Sequence, residues 1–108
     1  MEDRCAVVAV RGDVDVYTAA PFRRALEEAR LSGRPLIVVD LAGVGFMDST
    51  GFGQLVSLVS GQGAPTVVVA NCRPIVRNAL RLMGLDSLLT LHDYGESPQW
   101  PGVTDTSR

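Results

Sequence analysis

No lysine occurs among the 108 residues; all ten basic side chains are arginine. That excludes a lysine nucleophile, a Schiff base and the phosphate-binding lysine of a P-loop. Histidine is almost as scarce. His92 stands alone near the end of a weak apolar stretch, a poor basis for general acid–base chemistry. Cysteine is limited to Cys5 and Cys72, far apart and each in apolar surroundings. They make no disulfide framework, so two buried thiols in a reducing cytoplasm are expected. No cluster of Asp, Glu, His and Cys has ligand spacing, and neither a metal nor a cofactor is expected. The longest apolar run, "PLIVVDLAGVGFM", is too short to span a bilayer and carries Asp40. The opening Met1-Glu2-Asp3-Arg4 lacks the basic and then apolar character of a secretory signal. The chain is therefore expected to be cytoplasmic, with no membrane insertion. A net charge of −2 argues against direct nucleic-acid binding, which needs a basic surplus.

What is present suits one globular domain. An apolar fraction of 46% is enough for a single core at this length. "CAVVAV" (5–10) reads as a buried strand and "VDV" (14–16), after the turn-like Arg11-Gly12-Asp13, as a second short one. Thr18 is a plausible cap for a helix that tolerates Pro21 in its first turn and aligns Phe22, Ala25, Leu26 and Ala29. Arg23–Glu27 and Arg24–Glu28 are spaced as ion pairs on its wet side. "LIVVDL" (36–41) reads as a central strand buried on both faces, which points to a helix-covered sheet. Phe52, Leu55, Val56 and Val59 recur at helical spacing, and "TVVVA" (66–70) is the next strand. A third helix runs from near Pro74 to Met83, with Gly84 as its stop. "LLTL" (88–91) is a candidate last strand. The domain is expected to span 1–94. The tail 95–108, rich in proline and glycine, is expected to lack regular structure, with Trp100 docking locally.

Chemistry concentrates in "FMDSTGFG" (46–53). Ser49 lacks the G-x-S-x-G context of a hydrolase nucleophile, since Met47 stands two residues before it. "GVGFMD" starts like a dinucleotide loop, but Asp48 occupies the third glycine position. Catalysis by this chain alone is not expected. Two readings of Ser49 remain open: a helix cap for a helix starting at Thr50, or a hydroxyl displayed for chemistry. The site lies at the C-terminal end of a buried strand, where such sheets place functional loops. Gly51 and Gly53 would let a partner backbone or an ATP γ-phosphate approach closely, and a helix N-terminus accommodates phosphate. Arg73, Arg77 and Arg81 line one face of the third helix, as a solvated stripe or as a strip for an acidic partner.

The stretch "VVDLAGVGFMDSTGFGQLV" (38–56) resembles the central signature of the STAS domain, in the version found in bacterial anti-sigma-factor antagonists. "GDVDVYTAAPFRRAL" (12–26) is similar to that family's Gly-x-Leu/Ile-Asp segment and first helix. "VRNALRLMGLDSLLTLHD" (76–93) resembles its closing helix, turn and last strand. The resemblance implies an α/β fold, a small mixed sheet of four to five strands flanked by about three helices in the order β-β-α-β-α-β-α-β. It also implies partner switching: the antagonist binds an anti-sigma factor that is a serine kinase, which frees the sigma factor. The kinase then phosphorylates the serine after the motif aspartate, and a serine phosphatase resets it. Here that serine is Ser49. Asp15, Asp48, Thr50, Gly51 and Phe52 are the further partner-contact candidates. ATP and Mg²⁺ would belong to the kinase. The motif usually continues Gly-Leu-Gly, so Phe52 is expected to place a larger exposed ring on that surface. The family's C-terminal helix is replaced by the tail. The alternative reading is a STAS accessory module of a transport system, binding a membrane protein or nucleotide without phosphorylation.

Overall fold

A computed structural model describes residues 4–93 and the backbone of 103–105. Five strands and three helices follow in order: β1 (Cys5–Arg11), α1 (Ala19–Leu31), β2 (Leu36–Gly43), α2 (Ser49–Val59), β3 (Thr66–Ala70), α3 (Pro74–Leu82), β4 (Thr90–His92) and β5 (Val103–Asp105). A 3₁₀ turn at Leu85–Ser87 precedes β4. The α/β class, the strand count and the helical flank agree with the expectation. The sheet runs β4-β3-β2-β1-β5.

The pairing differs from a mixed sheet, because all four ladders between these strands are parallel. Each step from β1 to β4 passes through a helix, and such a crossover returns the chain in its original direction. The three steps also move one way across the sheet. Right-handed crossovers of that kind put every helix on the same face. Accordingly Val8, Val10, Ile37, Val39, Val67 and Val69 share the main core with Phe22, Leu26, Leu55, Val76 and Leu80. The opposite face carries a smaller cluster of Val7, Val38 and Ala70, with no helical residue in it. The expectation of helices over both faces of LIVVDL is thus corrected to helices over one.

Three expectations change for local reasons. The expected strand at 14–16 shrinks to a single parallel bridge between Val14 and Met47. Asp15 stops it, because its Oδ1 accepts the backbone N–H of Tyr17 at 2.9 Å and of Thr18 at 3.1 Å. A short acidic side chain that captures nearby N–H groups makes a turn, not a ladder. At α1, Thr18 occupies the cap position but caps nothing. Its hydroxyl donates instead to Asp13 O at 2.8 Å. On the wet side of α1, Glu27 pairs with Arg30 rather than with Arg23, an exposed contact of little energetic weight.

In the tail, Val103–Asp105 forms a strand and does not lack regular structure. It pairs with the outer side of β1, where backbone donors and acceptors would otherwise face out along a sheet edge. Residues 94–102 and 106–108, with the expected docking of Trp100, lie outside the described residues. Gly84 ends α3 as expected, in the left-handed region at φ 73°. No helix among the described residues is long and apolar enough to cross a membrane.

Candidate functional site

Two loops at the C-terminal end of the sheet build the site. One follows β1, the other follows β2. They are stitched by their backbones: Val14 N–H donates to Phe46 O at 2.9 Å, and Asp48 N–H donates to Val14 O at 3.0 Å. The stitch fixes where α2 begins. Asp48 has an extended backbone, φ −98° and ψ −172°, and its carboxylate accepts from the N–H of Thr50 at 2.9 Å and of Gly51 at 3.4 Å. Asp48 is therefore the cap, and Ser49 is the first helical residue. The expectation that Ser49 caps a helix starting at Thr50 is corrected by one position. Serine and aspartate are both good caps; the loop stitch, which sets the backbone of Asp48, makes the choice.

This correction frees the serine hydroxyl. Ser49 is exposed, and its side chain makes no hydrogen bond within the described structure. The N–H groups of Thr50 and Gly51, which a phosphate would use at a bare helix N-terminus, are already taken by Asp48. Replacing Asp48 with alanine should cost about 0.5–2 kcal/mol, the usual range for a lost cap. Urea denaturation followed by circular dichroism would measure it. An unchanged midpoint would show that the carboxylate does not hold the helix start.

The other candidates divide sharply. Thr50 is half-buried beside Ser49. Asp15 lies half-buried in the neighbouring loop, with its carboxylate spent on the Tyr17 and Thr18 N–H groups. Gly51 is buried, and a β-carbon there would stand 2.5 Å from Met47 Cγ and 2.9 Å from Val14 Cγ1. Its missing side chain lets α2 close on its own loop and does not admit a partner. Gly53 is the open one: it is exposed, and a β-carbon would meet nothing within 4 Å. Phe52, expected to present an exposed ring, is 3% exposed and belongs to the main core. The signal was legible, since Phe52 lies three residues before Leu55 and so shares its helical face.

Three exposed apolar residues of the same two loops are not among the sequence candidates: Val16 falls in the expected strand 14–16, and Tyr17 and Phe46 have no expected role. Val16 is 65% exposed, Tyr17 91% and Phe46 47%. Only their position inside a turn-rich stretch, with no apolar face to join, sets them apart.

The remaining features lie elsewhere. His92 is on the edge strand β4, which β3 separates from β2, the strand that leads to Ser49. The arginine stripe is partly committed: Arg73 Nε donates to Ala42 O at 3.0 Å, and Arg77 lies 3.9 Å from Asp93, while Arg81 is exposed. Burial pushes the thiol of Cys72 up to about 11, which keeps it in the unreactive protonated form. Cys5 is half-buried at the start of β1, the opposite end of the sheet from Cys72. No group of three or more potential metal ligands stands together among the described residues.

Comparison with known proteins agrees with this architecture. The family model described as "Mlab, STAS domain" matches residues 1–90. The anti-sigma-F factor antagonist RsfB of Mycobacterium tuberculosis is 34% identical over 94 residues, covering 82% of this chain and 76% of that protein. An anti-sigma-B factor antagonist of Staphylococcus aureus is 28% identical over 97 residues, covering 88% and 90%. Among solved structures, an anti-sigma factor antagonist from Mycobacterium paratuberculosis superposes with a TM-score of 0.74 at 29% identity, over 85% of this chain and 80% of that one.

Proposed function

The chain belongs to the STAS domain family, and from that footing we propose that it is an anti-sigma-factor antagonist switched off by phosphorylation of Ser49. The observation that carries the reading is the exposed, uncommitted hydroxyl of Ser49 in the first turn of α2, directly after the capping Asp48. The names of the antagonists to which the chain is similar support the same role. In its unmodified form the chain occupies an anti-sigma factor and so releases a sigma factor. That anti-sigma factor is also the serine kinase. Ser49 Oγ attacks the γ-phosphorus of its ATP, ADP leaves, and the hydroxyl proton passes to a base of the kinase. ATP and Mg²⁺ belong to the partner, and a serine phosphatase restores the hydroxyl.

The geometry explains how the phosphate releases the partner without refolding. A phosphoserine adds about −1.5 to −2 charges and three acceptor oxygens. At a bare helix start the N–H groups would absorb that charge, but here the Asp48 carboxylate already holds two of them. The phosphate must therefore remain solvated, next to a carboxylate of the same sign. Burying it against a protein surface would strip that solvation without compensation. Complex formation is lost while α2 keeps its cap.

Incubation of the purified chain with a candidate anti-sigma factor kinase and ATP should add one phosphate by intact mass, and none in Ser49→Ala. Ser49→Asp should bind the same factor at least about tenfold more weakly, equivalent to about 1.4 kcal/mol, as read by calorimetry. A phosphate found only on Thr50 would overturn the acceptor assignment. Equal affinity of Ser49→Asp and wild type would overturn the switch.

A further inference from the structure

The rim of the Ser49 loop carries an apolar group that neither the fold nor the phosphate switch requires. Val16, Tyr17 and Phe46 are 65%, 91% and 47% exposed, and the Val14–Phe46 and Asp48–Val14 hydrogen bonds hold their two loops side by side. The turn that presents Tyr17 is also well fixed. Asp15 Oδ1 accepts the Tyr17 and Thr18 N–H groups, Thr18 Oγ1 accepts from Asp15 N at 2.9 Å, and Thr18 N–H donates to Asp15 O at 3.1 Å. An aromatic side chain on a turn whose backbone is already ordered gives up only its own torsions on docking, and large aromatics are the usual hot spots of protein interfaces.

We propose that Tyr17, next to Val16 in its turn and on the loop hydrogen-bonded to that of Phe46, is the apolar anchor by which the chain fastens to its anti-sigma factor. This rests on the partner-switching reading above and specifies how that partner is gripped. The occupant is a folded protein surface with an apolar recess for the tyrosine ring, continuous with the region that receives Ser49. A second copy of this chain fits worse, because a two-fold contact through the patch would bring the Asp13 and Asp15 carboxylates of both copies into one interface. The arrangement separates grip from control. Tyr17 is presented in the same way in either phosphorylation state, while Ser49, at the start of α2, decides whether the surrounding surface can close.

The test measures the affinity of the anti-sigma factor that phosphorylates Ser49 for wild type, Tyr17→Ala, Tyr17→Phe and Leu82→Ala. Leu82 is an equally exposed apolar residue, 89%, on α3. Tyr17→Ala should weaken binding at least about tenfold with an unchanged melting temperature, while Tyr17→Phe and Leu82→Ala stay near wild type. Wild-type affinity in Tyr17→Ala would overturn the anchor and leave the Ser49 switch standing. Equal losses in Tyr17→Ala and Leu82→Ala would overturn it as well, by showing a nonspecific apolar effect. Sedimentation showing a wild-type dimer that Tyr17→Ala dissociates would assign the patch to a second copy. Failure of the wild type to bind any anti-sigma factor would overturn the functional reading and this inference together.

Discussion

Phe52→Ala should cost the fold about 3–5 kcal/mol, the usual penalty for removing a buried phenyl ring. The ring is 3% exposed and lies in the main cluster with Leu55 and Phe22. A domain of this size has only about 5–15 kcal/mol of stability in total, so the variant should sit near the edge of unfolding at physiological temperature. Urea denaturation would show the midpoint falling with the slope retained. The companion variant Phe52→Leu keeps an apolar side chain at this position and should remain folded. Its affinity for the anti-sigma factor should match that of the wild type, because the position points inward. A folded Phe52→Leu with impaired binding would show that the ring reaches the partner after all.

Gly51→Val is expected to destabilise at the upper end of the roughly 1–3 kcal/mol typical of an overpacked core. The first added carbon would already stand 2.5 Å from Met47 Cγ and 2.9 Å from Val14 Cγ1. Met47 can swing aside, but Val14 is stiff at χ1 and is paired to Met47 across the two loops. The strain therefore falls on the stitch that positions Asp48 and Ser49. On the proposed function, affinity for the anti-sigma factor and the phosphorylation rate of Ser49 should drop together, beyond what the loss of stability explains. Gly53→Ala is the internal control. Its β-carbon meets nothing, so it should gain up to about 1 kcal/mol from better helix propensity. Destabilisation by Gly53→Ala, or tolerance of Gly51→Val, would refute the division of labour between the two glycines.

Most of the architecture was legible because it rests on local pattern. The run LIVVDL is too short and too β-branched to be anything but a buried strand. Phe22, Ala25, Leu26 and Ala29 recur at helical spacing, and all four are buried on α1. Gly84 ends α3 because little else adopts a left-handed backbone there. The resemblance of residues 38–56 to the STAS signature singled out Ser49, which the structure places in the first turn of α2 after the β2 loop. These features follow from side-chain size, periodicity and backbone freedom, which each segment carries by itself.

Long-range choices escaped the same reading. Asp48 and Ser49 are comparable caps, and the backbone set by the Val14–Phe46 and Asp48–Val14 hydrogen bonds selects the aspartate. Gly51 and Gly53 are the same residue two positions apart, yet Met47 and Val14 crowd one and solvent surrounds the other. Val16 looks like strand material, until Asp15 takes the N–H groups of Tyr17 and Thr18 into a turn that leaves Val16 and Tyr17 exposed. β5 pairs with β1 although its three residues carry no signal that names a partner strand. By itself the sequence determined β1, β2, β3 and the three helices, and which hydroxyl stands in the family motif. Only the tertiary structure decided that this hydroxyl is free of the cap, that the glycines divide their roles and that an exposed aromatic side chain stands on the loop stitched to this one. The physical reason is that these outcomes depend on contacts between segments distant in the chain, and no local preference encodes them.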